Sequence, residues 1–253
     1  MTFKDVHGRS TDTWTVSDPA AHGRNVRDMF ARIAGVYDFM NHLLSLNLDR
    51  RWRGNLARRL DGDVWELLDL CAGTGDLALA CARAGKGRLH LAADFCPEML
   101  VASRGKKGAD LLRPAVADAL RLPFAKRSVD AVVVGFGVRN FADVRQGLAE
   151  MMRVLRPSGQ LMVLDFFRDD PRAMDELRGT PRVVRWLLDR TVPLLGRIFG
   201  RDEAAYSYLP ASRGEFLTPA GFASLLVEIG YRDVFVMRQT LGIAHIIGGR
   251  SSQ

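Results

Sequence analysis

The sequence predicts an α/β protein with a doubly wound, mostly parallel seven-stranded sheet, N-terminal helices and an amphipathic helical insertion after the fifth strand. Three observations carry this. Short apolar runs alternate with helical patterns from residue 65 to residue 166, the rhythm of βαβ units on a parallel sheet. The run Leu67-Leu68-Asp69-Leu70 breaks into Ala72-Gly73-Thr74-Gly75 and restarts at once as a helix. Two further apolar runs lie close together at the end of the chain, spaced for an antiparallel hairpin at the sheet edge.

Each element follows in order. Residues 1–22 are polar and aperiodic and read as a mobile leader. Residues 23–253 then form a single domain. Within it, residues 23–62 are a helical cover: Val26, Met29, Phe30, Ile33, Val36, Tyr37, Met40, Leu43 and Leu44 recur every three or four residues. A second short helix turns Trp52, Leu56 and Leu60 inward and Arg50, Arg51, Arg53, Arg58 and Arg59 mostly outward. Strands are predicted at 65–71, 89–94, 113–117, 129–135 and 160–166. Helices fall between them at 76–84, 97–104 and 143–155, the last capped by Asp143. Residues 172–210 break the rhythm and read as a helical lid insertion. A helix at 219–229 and strands at 231–239 and 242–248 complete the sheet.

Composition excludes several classes. Cys71, Cys81 and Cys96 show no metal-ligand spacing, so no metal site is expected. An odd cysteine count with no export signal fits a reducing cytoplasm. No apolar run approaches the roughly 18–20 residues that span a bilayer. The net charge of +7 suits anionic partners. The arginines are scattered and not interleaved with stacking aromatics, so no nucleic acid is expected, although an RNA-binding protein or RNA methyltransferase is the alternative from a different class.

The glycine turn places backbone N–H groups against a ligand. Its spacing, Asp69-x-Cys71-x-Gly73-x-Gly75, lacks the third glycine of a dinucleotide turn, which disfavours a nicotinamide cofactor. Asp94 ends the second strand, where an acid binds ribose hydroxyls. Asp118-Ala119 follows the third strand, where an acid accepts from an adenine amine. An adenosine without a pyrophosphate points to S-adenosyl-L-methionine, with Gly73 and Gly75 opening the backbone to its methionine end.

With these motifs the sequence resembles the class I S-adenosylmethionine methyltransferases, with their Rossmann-like fold. Within them it is similar to the ubiquinone/menaquinone biosynthesis C-methyltransferases. The blocks Tyr37-Asp38-Phe39-Met40-Asn41, Arg50-Arg51-Trp52-Arg53, Phe136-Gly137-Val138-Arg139-Asn140 and Tyr208-Leu209-Pro210 carry that likeness. The resemblance implies C-methylation of a prenylated quinol precursor, demethylmenaquinol before a ubiquinone precursor or a small soluble acceptor. It places Thr74, Asp94, Asp118 and Ala119 at cofactor-binding positions. Gly135 stands at a contact position where many members have Ser. Other departures are Asn47 where Gly is usual, Asp49 where His is common, Ser158 for the first Gly of a Pro-Gly-Gly turn, and Asp165 for a Glu.

For the chemistry, Arg139 is the first choice to stabilise a developing phenolate, because its guanidinium stays charged. Asn140 orients a quinol oxygen or caps the turn, and Tyr37 with Asp38 closes the site from the N-terminal helix. Tyr206 and Tyr208 are candidates to line the acceptor pocket, and His245 is read as structural. The segment 181–199, apolar with an arginine fringe, suits either a lid resting on the membrane surface or a face between two copies. The expected location is cytoplasmic, peripheral at the inner face of the membrane.

Overall fold

A computed structural model of the chain describes residues 18–169 and 216–252. The expected lid at 172–210, Tyr206, Tyr208 and residues 1–17 of the leader lie outside the described residues. Helices α1 (Pro19–Ile33), α2 (Tyr37–Leu44) and α3 (Leu48–Arg59) precede the first strand. The alternating part runs β1 (Glu66–Leu70), α4 (Asp76–Arg83), β2 (Leu89–Asp94), α5 (Pro97–Ser103), β3 (Leu112–Val116), β4 (Val129–Gly135), α6 (Val144–Val154) and β5 (Leu155–Asp165). Helix α7 (Pro219–Ile229) and strands β6 (Arg232–Gln239) and β7 (Ala244–Arg250) follow.

The seven strands form one sheet in the order β3-β2-β1-β4-β5-β7-β6. The first five are parallel, and β7 runs antiparallel to both β5 and β6. The hairpin is therefore present, but its second strand lies inside and β6 forms the edge. Chain order reverses direction between β1 and β4, which opens a crevice beyond their carboxyl ends.

Alternating side chains bury both faces of the sheet. Leu68, Leu70, Val132 and Val134 pack with Leu148 and Met151 of α6 and Phe222 and Leu226 of α7. Leu67, Ala131, Val133 and Leu164 pack with Trp52 and Leu56 of α3 and Leu77 of α4. Full burial of each such Leu or Val stabilises by about 1.5–3 kcal/mol over exposure. Asp143 caps α6 as expected, accepting from the Gln146 N–H at 2.9 Å. Among the described residues no helix is long and apolar enough to cross a membrane.

Several boundaries differ from expectation. Residues 18–22, assigned to the leader, open α1: Asp18 accepts from the Ala21 N–H and Pro19 begins the helix. This is a cap signal without apolar periodicity. The long N-terminal helix divides at Ala34-Gly35-Val36, because Gly35 lowers helix propensity while the apolar spacing carries on through the turn. Trp65 is 54% exposed and precedes β1. Its indole lies under the Arg88 guanidinium, 4.5 Å from carbon to ring centroid.

Candidate active site

The turn after β1 is built from residues in left-handed backbone. Cys71, Gly73 and Gly75 have φ of 57°, 54° and 81°. At Gly75 a β-carbon would meet Leu112 Cδ1 at 2.5 Å, so the position needs glycine twice over. At Gly73 a β-carbon would point at Met99 Cε, 3.5 Å away, and Tyr37 Cε1, 3.8 Å away. Met99 and Tyr37 both line a cleft, so the missing side chain of Gly73 is part of its empty space. Below the turn, Asp69 Oδ2 accepts from the Ala78 N–H at 2.8 Å and ties β1 to α4. Burial pushes the Asp69 carboxyl up to about 7.

The cleft lies where the strand order reverses and holds about 860 Å³ of empty space, counting its open side. Asp94 sits on its floor, 7% exposed. Its two oxygens accept from the Gly73 and Cys96 N–H groups at 2.8 and 2.9 Å. Burial nevertheless raises its pKa, backbone hydrogen bonds from Cys96, Gly73 and Phe95 opposing the shift. Asp118 is exposed at the rim, and its Oδ1 accepts from the Leu120 N–H at 2.8 Å. Ala119 and Gly135 complete this wall. Helix α1 covers the cleft through His22, whose Nε2 lies 3.0 Å from the Asn140 carbonyl.

Of the residues singled out by sequence, Gly73, Asp94, Asp118, Ala119, Gly135, Tyr37 and Asn140 line this one cleft. Thr74, Gly75 and Arg139 do not. Thr74 faces α2: its hydroxyl donates to Asp38 Oδ1 and accepts from Lys106 Nζ at 2.7 Å. Lys106 also bridges Asp38 and Asp76 at 2.7 and 2.5 Å, fastening α2 to the glycine turn. Sequence reasoning passed over Lys106; its one signal is a position beside two acids that only the fold brings close.

Arg139 is 4% exposed and lies behind the cleft. Its Nη1 donates to Asp165 Oδ1 at 2.6 Å and to the Phe136 carbonyl at 2.7 Å. Asp165 ends β5 and also accepts from the Phe166 N–H at 2.8 Å. Tyr37 packs edge-on against Phe30, with centroids 5.9 Å apart. Burial pushes its phenol above the usual range, while a hydrogen bond from Asn41 and the charges of Arg139 and Arg53 oppose the shift. His245 is buried opposite Asp165 in the strand register, its ring edge-on to Phe167 at 6.0 Å.

Arg53 departs from its expected outward face and is 7% exposed. It pairs with Asp49, one helical turn before it, a spacing of four residues that could have revealed the pair. Ser45 and His42 hold the same carboxylate at 2.6 and 2.8 Å. These hydrogen bonds and Arg53 keep Asp49 below the usual carboxylate range against its burial. His42, Asp49 and Asp76 have ligand atoms within 4.8 Å of one another. Arg53 and Lys106 already neutralise the two carboxylates, which leaves little charge for a cation.

Comparisons with known proteins place the chain in a family. Residues 19–250 match the model of the ubiE/COQ5 methyltransferase family. The chain is 40% identical to a demethylmenaquinone methyltransferase of Deinococcus radiodurans, covering 90% of this chain and 93% of that one. It is 37% identical to a ubiquinone/menaquinone biosynthesis C-methyltransferase of Geobacter sulfurreducens, over 90% and 88% of the two chains. Among solved structures, a putative S-adenosyl-L-methionine-dependent methyltransferase of Methanococcus maripaludis superposes with a TM-score of 0.60 at 19% identity, over 88% and 94% of the chains. A chain of the complex between the Haloferax volcanii Trm112 methyltransferase activator and a putative methyltransferase superposes at 0.63 and 18%, over 90% and 98%. These two establish the fold alone. With the family model spanning nearly the whole chain and relatives at this identity, the protein belongs to the ubiE/COQ5 methyltransferase family.

Proposed function

We propose that this protein transfers a methyl group from S-adenosyl-L-methionine to a ring carbon of a prenylated quinol, with demethylmenaquinol as the acceptor. One observation carries the reading: Gly73, Asp94, Asp118 and Gly135, from four separate strand ends, line one cleft at the point where the sheet reverses. The names of the relatives from Deinococcus radiodurans and Thermus thermophilus, both demethylmenaquinone methyltransferases, support this acceptor.

The residues fit the cofactor. Space that a β-carbon on Gly73 would take is open, which suits a methionine chain lying against backbone. Asp94 would take the ribose hydroxyls on its remaining lone pairs, and Asp118 with Ala119 would border the adenine. When bound, the cofactor supplies an electrophilic methyl on a positively charged sulfur.

The chain supplies orientation and charge. Loss of a ring O–H proton pushes electron density onto the ortho carbon. That carbon would take the methyl group the cofactor supplies, forming the new C–C bond as the thioether leaves with the C–S electron pair. The methylated carbon then loses its own proton, which restores the aromatic ring. Arg139, held behind the cleft by Asp165, would stabilise the negative ring oxygen through its charge rather than by contact. Tyr37 and Asn140, both on the cleft, exclude water and aim the ring oxygen. Insolubility of a prenyl tail supports peripheral contact with the cytoplasmic face of a membrane through the segment 181–199. That segment as a face between two copies is the competing outcome.

Incubation with methyl-labelled S-adenosylmethionine and reduced demethylmenaquinone tests the reading. Label on a ring carbon is the expected result. Label on oxygen, or in no quinone, overturns it. Reduced acceptors with and without a prenyl tail, presented with vesicles of anionic lipid, test the membrane contact in the same assay.

A further inference from the structure

Lys106 lies in the loop after α5 and draws three separate parts of the chain to one nitrogen. Its Nζ donates to Thr74 Oγ1 of the glycine turn at 2.7 Å and to Asp76 Oδ1 at the start of α4 at 2.5 Å. It pairs with Asp38 Oδ2 of α2 at 2.7 Å. An ammonium has three protons, and these partners take all of them. Thr74 closes the ring by donating its own hydroxyl proton to Asp38 Oδ1. The side chains of Lys106, Asp76 and Asp38 are 19%, 22% and 30% exposed, so the ring is partly shielded from water.

Asp38 and Asp76 both sit in the first turn of a helix, where the dipole favours a carboxylate. Against its burial, Arg53 and Lys106 hold Asp76 below the usual carboxylate range. Two negative charges thus meet at one ammonium, and without it they repel each other between α2 and α4. His42 and Arg53 approach the other oxygen of Asp76, each at 3.9 Å. Among the described residues, Lys106 is the one cation paired with Asp38.

Asp38 directly follows Tyr37. Successive residues of a helix point about 100° apart, so pinning Asp38 on one side fixes where Tyr37 points. Tyr37 lines the cleft, and its Cε1 lies 3.8 Å from where a β-carbon of Gly73 would stand. On the side of α1 it packs edge-on to Phe30, beside Met29 and Ile33.

We propose that Lys106 is a positioning residue: through Asp38 it holds Tyr37 against the glycine turn, and so keeps the cleft wall at Gly73 closed for the cofactor. Lys106 does not itself line the described cleft, so it acts through Tyr37 rather than by contact. The proposal rests on the reading above for the identity of the cofactor.

The test uses the full chain, hydrogen exchange and calorimetric binding of S-adenosylmethionine. Lys106→Met should speed amide exchange in α2 about 10-fold while β1 and β4 stay protected, which also verifies that the variant is folded. It should weaken S-adenosylmethionine binding about 10-fold. Lys106→Arg keeps a cation between the two carboxylates and should bind within about 3-fold of the wild type. In a Tyr37→Ala background, Lys106→Met should cost less than about 2-fold further, because the side chain it positions is gone. Equal losses with and without Tyr37 overturn the proposal, since a general loosening of the fold would act in both backgrounds. Exchange in α2 that is unmoved by Lys106→Met overturns it as well. If the wild type binds no S-adenosylmethionine while α2 exchange still answers to Lys106, the cofactor reading falls and the hold of Lys106 on α2 stands.

Discussion

Asp94, at the end of β2, accepts the amide proton of Gly73 at 2.8 Å, so one strand end braces the turn that follows its neighbour. The carboxylate therefore fixes the glycine turn while lining the cleft.

Asp94→Ala should lower S-adenosylmethionine affinity at least 100-fold, because it removes a charged acceptor and frees the Gly73 N–H; loss of a hydrogen bond to a charged group is worth about 1.5–3 kcal/mol, and the loosened turn adds to it. Asp94→Asn keeps one acceptor and should lose less. Calorimetry on both variants checks the order, and equal affinity for Asp94→Ala and the wild type would remove Asp94 from the site.

The pairing of Arg139 with Asp165 changes what a substitution at Arg139 should do. Arg139→Ala strips the partner from a carboxylate that is 0% exposed. It should cost about 3–5 kcal/mol of stability, in addition to turnover. Asp165→Asn keeps a neutral acceptor and should unfold less readily than Arg139→Ala. Methyl transfer measured below the unfolding range of each variant separates the two losses. Cofactor affinity should stay near that of the wild type for both, since Arg139 does not line the cleft.

Much of this was legible in the sequence, for identifiable reasons. Strands at 89–94 and 129–135 coincide with β2 and β4, because buried parallel strands are apolar runs with sharp ends. That Gly73, Asp94 and Asp118 share one cleft was legible because they sit at strand ends, and strand ends converge in a parallel sheet. The surroundings of Arg53 and Lys106 were not. Arg53 reads as one of five arginines on a solvated face, and nothing local shows that α3 turns it toward Phe136. Lys106 meets Asp38 and Asp76 only after three elements assemble. The departures from the family pattern were visible but not their geometry: Asn47 and Ser158, standing for glycines, both adopt left-handed backbone, with φ of 61° and 62°.

Ser158→Gly should therefore stabilise the protein. Relief of a left-handed β-carbon is worth about 1–2 kcal/mol. Greater freedom of the unfolded glycine offsets about 0.4–1 kcal/mol of that. The side chain is exposed, and the contacts of the Ser158 N–H with the Ser251 carbonyl and of its own carbonyl with Arg250 are backbone features that glycine keeps. A gain of about 0.5–1 kcal/mol in denaturant unfolding is expected. Asn47→Gly should gain less, because asparagine tolerates this conformation. A loss at Ser158 would show that its hydroxyl makes a contact worth more than the strain.

Asp69 predicts a pH dependence with a definite sign. Its carboxyl is 0% exposed beneath the glycine turn, and burial raises its pKa from 3.8 to about 7. Between these values the folded protein holds a proton that the unfolded chain has released. Stability from this group is therefore complete below the unfolded value and is lost as pH rises through about 7, by at most about 4 kcal/mol. Asp69→Asn keeps an oxygen to accept the Ala78 N–H and cannot ionise, so it removes this slope. Denaturant unfolding of wild type and Asp69→Asn at pH 5 and pH 8 gives the test, since the other titrating groups cancel between the two proteins. The variant should exceed the wild type modestly at pH 5, where part of the loss above 3.8 has already set in, and by clearly more at pH 8. A difference between the two proteins that is the same at both pH values would mean that Asp69 is ionised throughout, held by the turn rather than neutralised beneath it.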